Sequence, residues 1–133
     1  MFINGTIQAS YANFGYIPYG HSIIGRLYYF PEHSDACDEL PETTFTIDAD
    51  GDITPFIIAE RGSCTFVKKV RNLENAGAAV AIIYDDKEEN IENVVMSDDG
   101  TGGGIRIPAM LIGKIDGKKL GDFVKTASNK ELN

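Results

Sequence analysis

The stretch that most constrains the fold is Pro55 to Tyr84, PFIIAERGSCTFVKKVRNLENAGAAVAIIY. Its hydrophobic period changes twice. Phe56 to Ala59 is a short continuous apolar run of the kind that fills a buried strand. Glu60-Arg61-Gly62-Ser63 interrupts it. After Thr65, an apt N-cap, the apolar positions Phe66, Val70, Leu73 and Ala76, with Val67 alongside, recur at helical spacing. Lys68, Lys69, Arg71 and Glu74 are assigned to the water-facing side. Gly77 follows the last periodic residue, where a left-handed C-cap is easiest for glycine. Ala79 to Tyr84 is a second apolar strand. This order predicts two parallel strands joined by a helical crossover, with Arg61, Gly62, Ser63, Cys64 and Thr65 exposed at the turn.

The flanking sequence suggests one domain of mixed α and β structure. Thr6 to Ala9 and Ile23 to Phe30 read as strands separated by turn-rich segments. Pro31 to Pro41 is irregular and holds Cys37, and Thr43 to Ile47 fits a short strand. Asp48-Ala49-Asp50-Gly51-Asp52 resembles the start of a calcium loop, but the positions that need glycine and glutamate hold Ile53 and Ala59. A solvated turn is the plainer reading, and no metal is expected. Between Tyr84 and Ile105 lies an acidic, then glycine-rich loop, either functional or a loose connection. Ile105 to Gly113 is a third apolar strand with Pro108 near its start. Asp116 is placed to cap a second helix carrying Leu120, Phe123, Val124 and Ala127 on one face, with fraying from Ser128.

Charge narrows the partners. Twenty acidic residues against twelve basic ones leave a net charge of -8. That excludes nucleic acid as an expected partner, because phosphate recognition needs cationic contacts. It equally disfavours an anionic membrane surface. No apolar run reaches the length of a membrane span, and the N-terminus lacks the pattern of a signal peptide. Asn4-Gly5-Thr6 is a glycosylation sequon at Asn4.

Little in the chain suggests catalysis. Cys64 at a helix start is a conceivable nucleophile, but no spacing sets His21 or His33 beside it. Gly62-Ser63-Cys64 lacks the second glycine of a hydrolase elbow, and Gly100-Thr101-Gly102-Gly103-Gly104 lacks the lysine and helix of a phosphate loop. Two histidines and two distant cysteines do not make a zinc site. The carboxylates lie in polar runs and read as solvated surface charge. Cys37 and Cys64 are able to form one disulfide, worth roughly 3–4 kcal/mol by loop entropy, or to remain two reduced thiols. Binding remains. A loop between a strand end and a helix start presents amides to an anion, and Arg61 adds a donor fork, unless it pairs with Glu60 or Asp52.

The sequence resembles the protease-associated (PA) domain, most closely that of vacuolar sorting receptors and membrane-anchored RING-type relatives. The resemblance rests on Tyr19-Gly20-His21-Ser22-Ile23, Tyr29-Phe30-Pro31, Cys37, and Ile57 through Phe66. It continues in Ala76-Gly77-Ala78, Val95-Met96 and Ile107-Pro108-Ala109-Met110. It implies a β-sandwich or open barrel of about seven strands flanked by two helices, bridged cysteines, no cofactor and no catalysis. The domain is then a monomer facing the lumen of the secretory pathway or the cell exterior. Its ligand is a peptide or protein, such as a C-terminal sorting signal, held by Arg61 to Thr65 with Gly20, His21, Ser22, Met96, Ser97 and Asp98 at the flanks. In peptidases the same domain is an insertion that controls substrate access. Ser63 stands where sorting receptors usually carry Asp, and His21 where they carry glycine.

Overall fold

The changes of period at Glu60 and Ala76 become element boundaries. In the computed structural model, which describes residues 9–16, 25–40 and 55–131, β3 is Pro55–Glu60, α1 is Phe66–Asn75 and β4 is Val80–Tyr84. Thr65 caps α1 through its side-chain oxygen, which accepts from the Lys68 N–H at 3.2 Å. The far end closes in a Schellman motif: the Ala78 N–H donates to Leu73 O and the Gly77 N–H to Glu74 O, with Gly77 at φ +106°.

Around this unit, β1 (Ala9–Tyr11), β2 (Arg26–Tyr29) and β5 (Ala109–Ile112) complete a five-stranded sheet of order β1-β5-β4-β3-β2. Strands β2 to β5 are mutually parallel, and β1 closes the edge antiparallel to β5. Side-chain alternation sorts the strands between two layers. Ile57, Ala59, Ala81, Ile83, Ala109 and Leu111 face α1 and its Val67, Val70 and Leu73. Ile58, Val80, Ile82, Tyr84 and Ile112 form a second cluster with Leu120 of α2 (Lys114–Glu131). Burial on both faces explains why β4 is apolar without interruption. Gly117 lets α2 approach closely: a Cβ there would lie 2.1 Å from Tyr84 Cβ.

The mixed α/β class, the crossover and the two flanking helices agree with the sequence. Of the expected seven strands the described residues contain five; Thr43 to Ile47 and most of Thr6 to Ala9 lie outside them, as does the acidic turn at 48–52. Two details differ. Asp116 sits inside the first turn of α2 rather than at its cap, since the helix begins at Lys114. The acidic loop is not a loose connection. It includes a 3-10 turn at Ile91–Asn93 and sends Ile91 and Met96 into the core.

Candidate functional site

Loops at the carboxyl ends of parallel strands lie beside one another, and here they are those leaving β3 and β4. The Arg61 N–H donates to Tyr84 O at 2.9 Å, and the Asp85 N–H to Ile112 O at 2.9 Å, so both loops start in register. Between them is a groove of about 350 Å³ lined by Arg61, Gly62, Cys64, Thr65 and Phe66 on one side, and by Val95, Ser97, Asp98 and Asp99 on the other.

The loop from β3 to α1 is held from beneath. Gly62 and Ser63 have φ of +117° and +70°, a left-handed pair that turns the chain sharply. Cys64 is bridged to Cys37, with Cα atoms 5.8 Å apart. The Glu60 N–H donates to Ser34 O, and Asn72 Nδ2 to Ala36 O, which binds the 34–37 segment to both β3 and α1.

Lys69 completes the support. The sequence reading placed it in water, whereas it is fully buried at 0% exposure. Its Nζ donates to Asp35 O at 2.6 Å and Gly62 O at 2.5 Å, and lies 3.6 Å from Cys37 Sγ. Burial lowers its pKa, while Asp35, Glu60 and Asp86 pull the other way. A buried ammonium is tolerable only with such partners.

Arg61 is committed as well, to Asp85 and Glu89 rather than to Glu60, while Asp52 lies outside the described residues. Its Nη1 contacts Asp85 Oδ1 at 3.1 Å and Glu89 Oε1 at 2.8 Å, and its guanidinium lies 5.4 Å from the centre of the Phe66 ring. Asp85 is wholly buried, contrary to the reading of every carboxylate as solvated. Burial opposes its ionisation, but hydrogen bonds with Glu89, the Lys87 N–H and Arg61 hold its pKa below the usual value.

The opposite wall is ordered by its own acids. Asp98 Oδ1 accepts from the Gly100 and Gly102 N–H groups at 2.8 Å, and Asp99 Oδ1 accepts from the Thr101 N–H at 2.9 Å. Hydrogen bonds from the Thr101 hydroxyl and N–H, then from the Thr65 hydroxyl, keep Asp99 below the ordinary carboxylate range. Arg71 fastens the glycine run by donating to Thr101 O and Gly103 O.

Of the expected ligand contacts, the fold brings Arg61, Gly62, Cys64, Thr65, Ser97 and Asp98 into one groove. Ser63 is exposed but outside the lining. Met96 is 1% exposed and its side chain belongs to the core, so its assignment to the binding surface is corrected. Gly20, His21, Ser22 and Asn4 lie outside the described residues. Phe66, Val95 and Asp99 were missed; a valine flanked by Val94 and Met96 gives no sign that it will be 67% exposed at a groove. The described residues contain no group of ligands arranged for a metal ion, and none of their helices is long and apolar enough to cross a membrane.

Comparison with known proteins agrees with the family resemblance and with the fold. Residues 23–120 match the sequence pattern of the PA domain. The chain is 30% identical to vacuolar-sorting receptor 1 of Pisum sativum over 98% of its own length and 22% of the receptor. It is 38% identical to the receptor homology region, transmembrane domain- and RING domain-containing protein 1 of Oryza sativa subsp. japonica, over 71% of this chain and 16% of that relative. The chain therefore spans about a fifth of the length of these relatives. Among solved structures it resembles the zinc aminopeptidase BSAP of Bacillus subtilis, with a TM-score of 0.62 and 27% identity, covering 86% of this chain and 25% of the enzyme.

Proposed function

This chain belongs to the PA domain family, and on that premise we propose that it is a non-catalytic module that binds a peptide or protein segment in the groove between Arg61–Phe66 and Val95–Asp99. The supporting observation is the groove itself, whose β3–α1 wall is fixed by a disulfide and a buried lysine. A wall that is ordered before the ligand arrives reduces the entropy cost of binding. Similarity to a vacuolar-sorting receptor supports a role as the luminal, cargo-recognising part of such a receptor. A disulfide suits that oxidising setting.

Arg61 is drawn back by Asp85 and Glu89, and Asp98 and Asp99 stand at the opposite wall. This favours recognition of a ligand's main chain, with hydroxyls of Thr65 and Ser97 and the apolar surfaces of Phe66 and Val95 as contacts. The test is calorimetric titration of the domain with candidate cargo peptides, each with a free and an amidated C-terminus. Main-chain recognition predicts similar affinities for the two forms and at least a fivefold loss in Thr65→Ala. No binding of any cargo peptide removes the proposal.

A second reading, a regulatory insertion that controls access to a peptidase, is supported by the likeness to the aminopeptidase. The parent open reading frame separates the two: a catalytic domain around this segment favours the second.

A further inference from the structure

The two sulfurs of the bridge have different surroundings. Cys64 lines the groove, whereas Cys37 does not. Cys37 Sγ lies 3.5 Å from Gly62 O, 3.6 Å from Asp35 O and 3.6 Å from Lys69 Nζ. Lys69 is fully buried and fixed by the same two carbonyls, so its charge cannot swing away. We propose that Cys64 is a thiol-exchange site: a small thiol entering the groove attacks Cys64 and expels Cys37 as a thiolate stabilised by the Lys69 ammonium.

The chemistry balances with the thiol as reductant. Its thiolate attacks Cys64 Sγ, a new sulfur–sulfur bond joins the two, and the Cys37–Cys64 bond breaks. The electron pair leaves on Cys37 Sγ beside Lys69. A second thiol then displaces the first, giving the oxidised small-thiol dimer and a free Cys64 thiolate. Alternatively Cys37 attacks the mixed disulfide, expels the small thiol and restores the bridge. A nearby cation lowers a thiol's pKa, and a thiol of lower pKa leaves faster, so Lys69 directs which sulfur leaves and which is attacked. A group carried on Cys64 then occupies the groove, which makes exchange and ligand binding mutually exclusive at that wall.

The probe is reduced glutathione added to the folded domain, with acid quenching, alkylation and peptide mass mapping. The expected result is glutathione on Cys64 and alkyl on Cys37, in at least about tenfold excess over the reverse. An even distribution, the reverse one, or reaction only in denaturant overturns the proposal. Lys69→Met should slow native-state exchange about tenfold, while Lys69→Arg preserves it; equal rates in all three proteins count against it. A Cys64→Ser variant keeps the lysine and frees Cys37, so it remains informative where Lys69→Met does not fold. Alkylation against pH should then give Cys37 a pKa at least about one unit below the usual 8.5, and an ordinary or higher value overturns the assignment.

Discussion

The Nζ of Lys69 lies 2.5 Å from the carbonyl oxygen of Gly62, so the second turn of α1 holds the loop that precedes the helix. This contact closes a short circuit from β3 through the turn and back. It replaces solvent as the partner of both groups. Lys69→Met keeps the length of the side chain but strands two carbonyls, Gly62 O and Asp35 O. The expected loss is about 2–4 kcal/mol in urea denaturation. A change under 1 kcal/mol shows that water replaces the ammonium.

Asp85 gives the fold an acid-side dependence. Its pKa is lowered in the folded state, so the stability it contributes is present above the unfolded value near 4 and is lost as pH falls through its folded value. Arg61→Ala removes one of the causes and leaves a buried carboxylate. The variant should lose about 1–3 kcal/mol at neutral pH, discounted because the Arg61 side chain is 29% exposed. Its stability should also fall less between pH 6 and pH 3 than that of the parent. Parallel urea curves at several pH values check both.

Tyr84 acts at the other end of the scale. Burial first, then its hydrogen bond to Glu60 at 2.8 Å and the neighbouring Tyr29, raise its pKa well above the ordinary value. A raised folded pKa contributes stability below the unfolded value near 10, and that contribution is lost as pH rises beyond it. Tyr84→Phe should cost about 1 kcal/mol at neutral pH and flatten the decline above pH 10. An unchanged alkaline slope removes Tyr84 from the cause.

Ser63 is a non-glycine residue at φ +70°. That region costs an L-residue about 1–2 kcal/mol. Ser63→Gly should therefore raise stability by roughly 0.5–1 kcal/mol, after the greater entropy loss of glycine on folding. A lower urea midpoint would reveal an interaction of the hydroxyl that outweighs the backbone strain.

The crossover unit was legible because local signals and tertiary packing agree there: Thr65 caps, Gly77 stops, and the apolar periods switch where the elements do. Lys69 was misread although helical arithmetic marks it. It lies three positions after Phe66 and four before Leu73, on the buried stripe, and only its charge argued for water. Asp85 was hidden among the neighbouring Asp86, Glu88, Glu89 and Glu92, and what distinguishes it is its place immediately after the buried β4. The far wall of the groove was only partly readable. Ser97 and Asp98 came from family resemblance, while Val95 and Asp99 depend on how the loop folds over Met96, a long-range packing event with no local signature.

The side chains that fasten the β3–α1 corner, Lys69 and Cys37, are distinct from those a visiting molecule meets on the far wall, such as Val95 and Ser97. Descendants of this sequence are therefore free to exchange visitors by altering the outward set, while the inward set keeps the corner standing. Preference can drift quickly under selection without each step endangering the architecture.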